Sequence, residues 1–244
     1  MTRNLTGLNA VITGAAGGIG EALVQAFHAA GARLTLIDIL DCAERAATLG
    51  QEHSSEILDL RDPDAIAATV ARVGRTRGID ILINNAGLGM VGLAEEQGVA
   101  DWDATLEINL RAPWLMAKAA FPFLKASGRG RVVNLASQAG VIALLEHAAY
   151  GASKAGLINL TKVLGVEWAK YGITANAISP TVVDSPMALV GWAGEKGVQA
   201  RREIPVGRFV RPAEVAAAAL YLCSEDAAIV TGENLVLDGG YTVR

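Results

Sequence analysis

L-N-A-V-I-T-G-A-A-G-G-I-G, residues 8 to 20, runs from a β-branched segment into a glycine-rich turn, and a helix-like E-A-L-V-Q-A-F follows. A strand, a turn with glycines at 14, 18 and 20 and then a helix start is the arrangement that lets a backbone approach a pyrophosphate at a helix N-terminus. The next short apolar run, R-L-T-L-I-D, ends on Asp38, eighteen residues beyond Gly20. A carboxylate at that place accepts hydrogen bonds from both ribose hydroxyls of an adenosine and repels a 2′-phosphate. Residue 39 is Ile, and Ala15, Ala16 and Gly17 offer no cation, so the pattern reads as a site for NAD in preference to NADP.

Working outward, short strand-like runs recur at 8–13, 33–38, 54–58, 79–83, 131–136, 173–178 and 234–238, with longer amphipathic segments between them. Such alternation predicts βαβ units, hence an α/β, doubly wound parallel sheet of about seven strands with helices on both faces (a Rossmann arrangement). Ligands then bind at the carboxyl ends of the strands. No linker or internal repeat divides the 244 residues, which read as a single NAD-binding domain spanning 1–244. The least regular part is an excursion over about 181–211, in a region where 180–211 holds three of the seven prolines.

Composition narrows the class. The chain is 52% apolar and 19% charged, enough for a substantial core. A net charge of −4 without a basic run argues against nucleic-acid binding. The longest apolar stretches, such as V-A-A-A-A-L-Y-L-C at 215–223, are about half a bilayer span, and no signal-like segment is seen. The expectation is a cytoplasmic protein away from membranes. Cys42 and Cys223 have no metal-ligand spacing and read as two thiols in a reducing compartment, with no metal site.

A-A-Y-G-A-S-K, residues 148 to 154, sets Tyr150 and Lys154 one helical turn apart on one face. Oxidising a secondary alcohol requires a base for its hydroxyl proton, and a free phenol, with a pKa near ~10, is a poor one at neutral pH. A cation within ~4–6 Å favours the phenolate, so the spacing predicts a tyrosine tuned by the lysine.

With these elements in place, the whole chain resembles the short-chain dehydrogenase/reductase family. The T-G-x-x-x-G-x-G loop has that family's spacing, and N-N-A-G at 84–87 matches its motif after the fourth strand. Asn109 in E-I-N-L, Ser137 thirteen residues before Tyr150, and Y-G-A-S-K match its catalytic tetrad. The resemblance implies that Tyr150 is the general base, that Lys154 also holds the nicotinamide ribose, and that Asn109 organises a water chain from the lysine to solvent. Ser137, at the end of the fifth strand, would bond the substrate oxygen and stabilise a developing alkoxide in reverse.

Cofactor contacts implied by the resemblance are Gly14, Gly18, Ile19 and Gly20 in the loop, Asp38, Asp59 at the adenine amino group with Leu60 beside it, and Asn85, Ala86 and Gly87. Pro180, Val183 and Ser185 complete the set after the sixth strand, where Ser185 replaces the usual threonine and Thr181 the commoner glycine. Gln138, His147 and Trp192 resemble the family's members acting on polyols and short sugars, through polar contacts and a flat ring wall. The blander reading makes His147 a cap and Trp192 loop packing. The substrate expectation is a short polyol or sugar alcohol and its ketone.

A 3-ketoacyl-thioester reductase is the rival enzyme, against which Asp38 and the acidic balance weigh. A cofactor-binding regulator is the rival outside enzymes, against which the complete tetrad weighs. Apolar residues on several faces of segments 100–125 and 150–169 (Trp102, Leu106, Trp114, Leu157, Leu160, Leu164, Trp168) point to subunit contacts, and the resemblance implies a homotetramer.

Overall fold

The alternation of strand and helix signals is realised as one parallel sheet of seven strands in the order β3-β2-β1-β4-β5-β6-β7. The computed structural model describes residues 4–185 and 192–244, so part of the 181–211 excursion lies outside the described residues. The strands are β1 (Asn9–Thr13), β2 (Arg33–Asp38), β3 (Ser54–Ile57), β4 (Ile81–Asn84), β5 (Arg131–Leu135), β6 (Thr174–Pro180) and β7 (Asn234–Leu237). Each lies within a few residues of its sequence expectation. The strand order reverses between β1 and β4, which opens a crevice at their carboxyl ends.

Side-chain alternation along the strands builds two cores. Ala10, Ile12, Leu34, Leu36, Ile81 and Ile83 face α1 (Ile19–Ala29) and a late helix over Pro212–Cys223. Val11, Ile37, Leu82 and Val132 face the opposite layer, made by α3 (Pro63–Arg77), α5 (Ala112–Ser127) and α6 (Ala148–Trp168). Apolar residues on both faces of a strand are what a sheet covered on both sides requires. Removing one such large side chain from water contributes about 1.5–3 kcal/mol. Among the described residues the remaining helices are α2 (Ala43–Leu49), α4 (Val99–Leu106) and α7 (Gly194–Glu203), so the late helix is α8.

Local chemistry sets the ends of these elements. Asp62 caps α3 by accepting from the N–H groups of Asp64 and Ala65, both at 3.0 Å, with Pro63 at the first turn. The segment 100–125 is not one helix. A π-helical turn at Glu107–Arg111 separates α4 from α5 and carries Asn109.

The excursion is more regular than its sequence suggested, because it contains α7. That helix is polar nearly all round and buries only Gly197, so it has no apolar stripe to announce it. Cys42 and Cys223 are buried and unbonded. Among the described residues no helix is long and apolar enough to cross a membrane.

Of the residues read as subunit contacts, Leu157 and Leu164 are instead core residues, while Leu160 and Trp168 pack against the core. Trp102 and Trp114 remain exposed, joined by Val163 and Val166 on α6.

Candidate active site

The glycine-rich loop takes the shape its spacing predicts. Gly14 has φ +66°, and a Cβ there would meet the Ala86 backbone at 2.8 Å. Glycine is therefore required both for the turn and for the close approach. Thr13 stitches the loop to the segment after β4: its hydroxyl accepts from the N–H groups of Asn85 (3.0 Å) and Ala86 (3.1 Å). The Asn85 side-chain amide returns two bonds to the carbonyls of Thr13 and Gly14, each at 3.0 Å.

Among the described residues no side chain caps α1 at Gly18, and none would lie within 4 Å of a Cβ at Gly17. A helix N-terminus whose N–H groups have no side-chain cap suits a diphosphate. Ile19 and Ser185 both line the main cavity, and a Cβ at Gly18 would lie 3.9 Å from that of Ser185.

At the tip of β2, Asp38 accepts from the N–H of Ala16 at 2.9 Å and of Leu40 at 3.1 Å. The reading of the loop as free of cations was incomplete. Arg45, from α2, donates Nη1 to the Ala15 carbonyl at 2.8 Å. Asp59 is engaged by its neighbour Arg61, whose Nη2 lies 2.6 Å from one carboxylate oxygen and holds the carboxyl below its usual range. The Leu60 side chain is buried in the α3-side core.

The residues drawn from β5, α6 and the loops after β4 and β6 meet around a cavity of about 950 Å³. Ser137, Gln138, His147, Tyr150, Lys154 and Trp192 line it together with Asn85, Gly87, Pro180 and Val183. Tyr150 and Lys154 stand one turn apart, as their spacing predicts, with Nζ 5.6 Å from the ring centroid.

Lys154 is buried and donates Nζ to the Leu135 carbonyl at 2.7 Å, and burial lowers its pKa to about 8. Burial pushes Tyr150 up, and its hydrogen bond with Ser137 pulls the other way. The physical reason is desolvation of both partners, which disfavours phenolate and ammonium alike.

Asn109 is completely buried on the π turn. It accepts from the Leu88 N–H and donates to the Leu88 carbonyl, both at 2.8 Å, and donates to Ser153 Oγ at 3.1 Å. Ser153 in turn donates to the Tyr150 carbonyl at 2.7 Å. Asn109 thus ties the segment after Gly87 to the turn carrying the tyrosine. A Cβ at Gly87 would come within 3.5 Å of both Asn109 Oδ1 and Lys154 Nζ.

At the substrate end, Ser137 also accepts from the Ala139 N–H at 3.1 Å. Gln138 is 6% exposed, and its Oε1 has no hydrogen-bond partner among the described residues. His147 precedes α6 and pairs Nδ1 with the Leu145 carbonyl at 2.5 Å, which assigns the proton to Nδ1 and leaves Nε2 an acceptor. Trp192 packs edge-on against Phe209, with ring centroids 6.1 Å apart. Thr181, where the family more often has glycine, causes no distortion: its N–H pairs with Leu237 at 3.0 Å and its φ is not positive.

Three features escaped the sequence reading. One is Arg45. A second is a buried polar chain in which Asn84 donates to Asn134 and Asn134 to Thr161, both at 2.8 Å, crossing β4, β5 and α6 beneath the site. Two asparagines in otherwise apolar strands were its available signal. The third is Glu146, the one non-glycine residue with positive φ (65°) among the described residues, immediately before His147.

A glycine-rich turn at the switch point and a Ser–Tyr–Lys cluster lining the cavity are the features of a nucleotide-dependent oxidoreductase. The chain belongs to the short-chain dehydrogenase/reductase family, whose members interconvert alcohols and ketones with NAD(P). Residues 14–242 match a family model described as enoyl-(acyl carrier protein) reductase.

Among curated proteins, it is 44% identical over 244 residues to the NAD-dependent glycerol dehydrogenase of Listeria innocua serovar 6a, covering 99% of this chain and 96% of that one. It is 43% identical over 246 residues to the D-threitol dehydrogenase of Mycolicibacterium smegmatis, covering 98% and 95%. Among solved structures, one from Beutenbergia cavernae is 32% identical, with a TM-score of 0.95 over 100% of both chains. That protein was proposed to be an NAD(P)-dependent gluconate 5-dehydrogenase and holds NADP at low occupancy.

Proposed function

We propose that this enzyme interconverts a short polyol and its ketone with NAD, using Tyr150 as general base. The observation that carries the polyol reading is the polar wall of one cavity, where Gln138 and His147 line the same space as Ser137 and Tyr150. Polar side chains beside the reacting hydroxyl offer hydrogen-bond partners to a second substrate hydroxyl, which a simple alcohol does not have. His147 Nε2 offers another acceptor, and Trp192 a flat wall for the carbon chain. The glycerol and threitol dehydrogenases among the relatives agree with this substrate class.

In this reading Tyr150 takes the hydroxyl proton while Ser137 holds the substrate oxygen. Lys154 supplies the fixed positive charge, holds the nicotinamide ribose, and passes the proton onward along a path organised by Asn109. The bound nicotinamide supplies the hydride acceptor and adds positive charge beside the phenol. The loop 14–20, Asp59, Leu60, Asn85, Ala86, Gly87, Pro180, Val183 and Ser185 orient it.

The Asp38 carboxylate supports NAD over NADP, because a 2′-phosphate beside it meets like charge. Buried unpaired thiols agree with a cytoplasmic setting, and exposed Trp102, Trp114, Val163 and Val166 with a homotetramer.

The test is NADH formation over C3 to C6 polyols and simple secondary alcohols, with both coenzymes. Gln138→Ala should raise KM for polyols several-fold and leave simple alcohols within twofold. Equal effects on both remove the polyol assignment, and preferential turnover of a 3-ketoacyl thioester would replace it with the acyl-reductase reading.

A further inference from the structure

The peptide joining Ala15 to Ala16 is held between opposite charges. Its carbonyl accepts from Arg45 Nη1 at 2.8 Å, and its N–H donates to Asp38 Oδ2 at 2.9 Å. The C=O and N–H of a trans peptide point in opposite directions, so guanidinium and carboxylate grip the loop from opposite sides. Arg45 has a second anchor, with Nη2 3.7 Å from Glu21 in the first turn of α1. One side chain from α2 therefore joins the glycine-rich loop to the start of the helix behind it. The Glu21 carboxylate is more than half exposed, so the bond to Ala15 is the stronger of the two contacts.

Two charge-assisted hydrogen bonds on one amide polarise it in the same sense and strengthen each other. They also determine which way the peptide faces. Turned over, it would present its carbonyl to Asp38, a repulsive contact at the place where the ribose hydroxyls must approach. Glycine neighbours at 14, 17 and 18 give the loop little rigidity of its own. The orientation of this peptide therefore depends on the pair of charges.

We propose that Arg45 is a positioning residue for the adenosine half of the coenzyme: it locks the Ala15–Ala16 peptide with its N–H toward Asp38, so that loop and carboxylate present a preset edge to the ribose. This rests on the coenzyme reading above. Its consequence is a binding effect confined to the adenosine end, some distance from the cluster around Tyr150. Preorganisation of this kind acts on affinity and leaves the chemical step alone.

The experiment is calorimetric titration of wild type, Arg45→Ala and Arg45→Lys with ADP-ribose, which carries the adenosine half and no nicotinamide. Steady-state kinetics in NAD and thermal midpoints accompany it. Arg45→Ala should weaken ADP-ribose and raise KM for NAD about 10- to 100-fold, the size of a lost charge-assisted bond, with kcat at saturating NAD within twofold. Arg45→Lys keeps a donor for Ala15 and should recover at least half of the loss on a logarithmic scale.

ADP-ribose affinity within twofold of wild type in Arg45→Ala overturns the proposal. So does a lysine variant no better than the alanine one, which would mark a merely structural role. Should Arg45→Ala not fold, Arg45→Gln takes its place, and wild-type affinity for ADP-ribose in a variant with a neutral donor overturns the role of the charge. Wild type that binds no ADP-ribose would instead sink the coenzyme reading itself.

Discussion

The two ends of the crevice are built on different principles. The end proposed for adenosine uses residues 13 to 61, close together in sequence, and most of its polar side chains are already satisfied, Asp38 by the loop and Asp59 by Arg61, as is the Ala15 carbonyl by Arg45. The alcohol end gathers residues from 85 to 192, and it keeps imbalance in store. Gln138 Oε1 has no hydrogen-bond partner among the described residues, Lys154 is buried with its charge disfavoured, Tyr150 is pushed up by burial, and Glu146 is held at positive φ. Recognition of an invariant nucleotide can be met by a preformed, satisfied edge. Proton transfer needs groups whose protonation is finely balanced; burial moves Lys154 toward that range, while for Tyr150 it acts the other way and the hydrogen bond with Ser137 opposes it.

The sharpest way to break this comparison is Tyr150→Phe. If chemistry is confined to the alcohol end, kcat should fall by roughly 10³-fold or more, as for loss of a general base, while the dissociation constant for ADP-ribose stays within twofold. Retained turnover in rapid-quench assays would remove the phenol from the mechanism.

Lys154→Met probes the stored imbalance through stability. The folded pKa of about 8 lies below the usual 10.5, so below pH 8 the folded state carries an ammonium that the unfolded state holds more comfortably. Between pH 8 and 10.5 the unfolded chain binds the extra proton, and wild-type stability rises with pH. Relative to wild type, the variant should therefore lose about 3 kcal/mol of advantage across that window, apart from a constant term for the lost bond to Leu135. Parallel urea-midpoint curves for the two proteins would refute it.

Asp38→Ala tests the satisfied end. The preference for NAD over NADP in kcat/KM should drop about tenfold or more with kcat for NAD little changed, a loss of about 1.4 kcal/mol in discrimination. An unchanged ratio shows that selection lies elsewhere, Arg45 being the first place to look. The smallest effect is expected from Glu146→Gly. It relieves a left-handed residue, which offsets glycine's entropy, so stability should move by no more than about 1 kcal/mol. KM for polyols should rise as His147 loses its fixed entry into α6, and unaltered polyol kinetics would separate Glu146 from the site.

Legibility followed the same division. Gly14, Gly18, Gly20 and Asp38 were readable because one βαβ unit forces their spacing on the chain. Tyr150 and Lys154 were readable because a helical turn does the same. Arg45 was not, since an arginine on a short polar helix looks like any solvated residue until α2 is laid against the loop. The Asn84–Asn134–Thr161 chain spans more than 75 residues, and no local pattern relates its members. Helix α7 lacked periodicity because it buries almost nothing.

By itself, then, the sequence determined the doubly wound sheet, its nucleotide loop and the identity of the tyrosine–lysine pair. These depend on periodicity and on contacts between near neighbours. Only the tertiary structure decided that burial acts on both Tyr150 and Lys154, that Gln138 Oε1 has no hydrogen-bond partner among the described residues, and that Arg45 grips the loop. Desolvation and long-range pairing belong to the packed environment, and no stretch of the chain carries them alone.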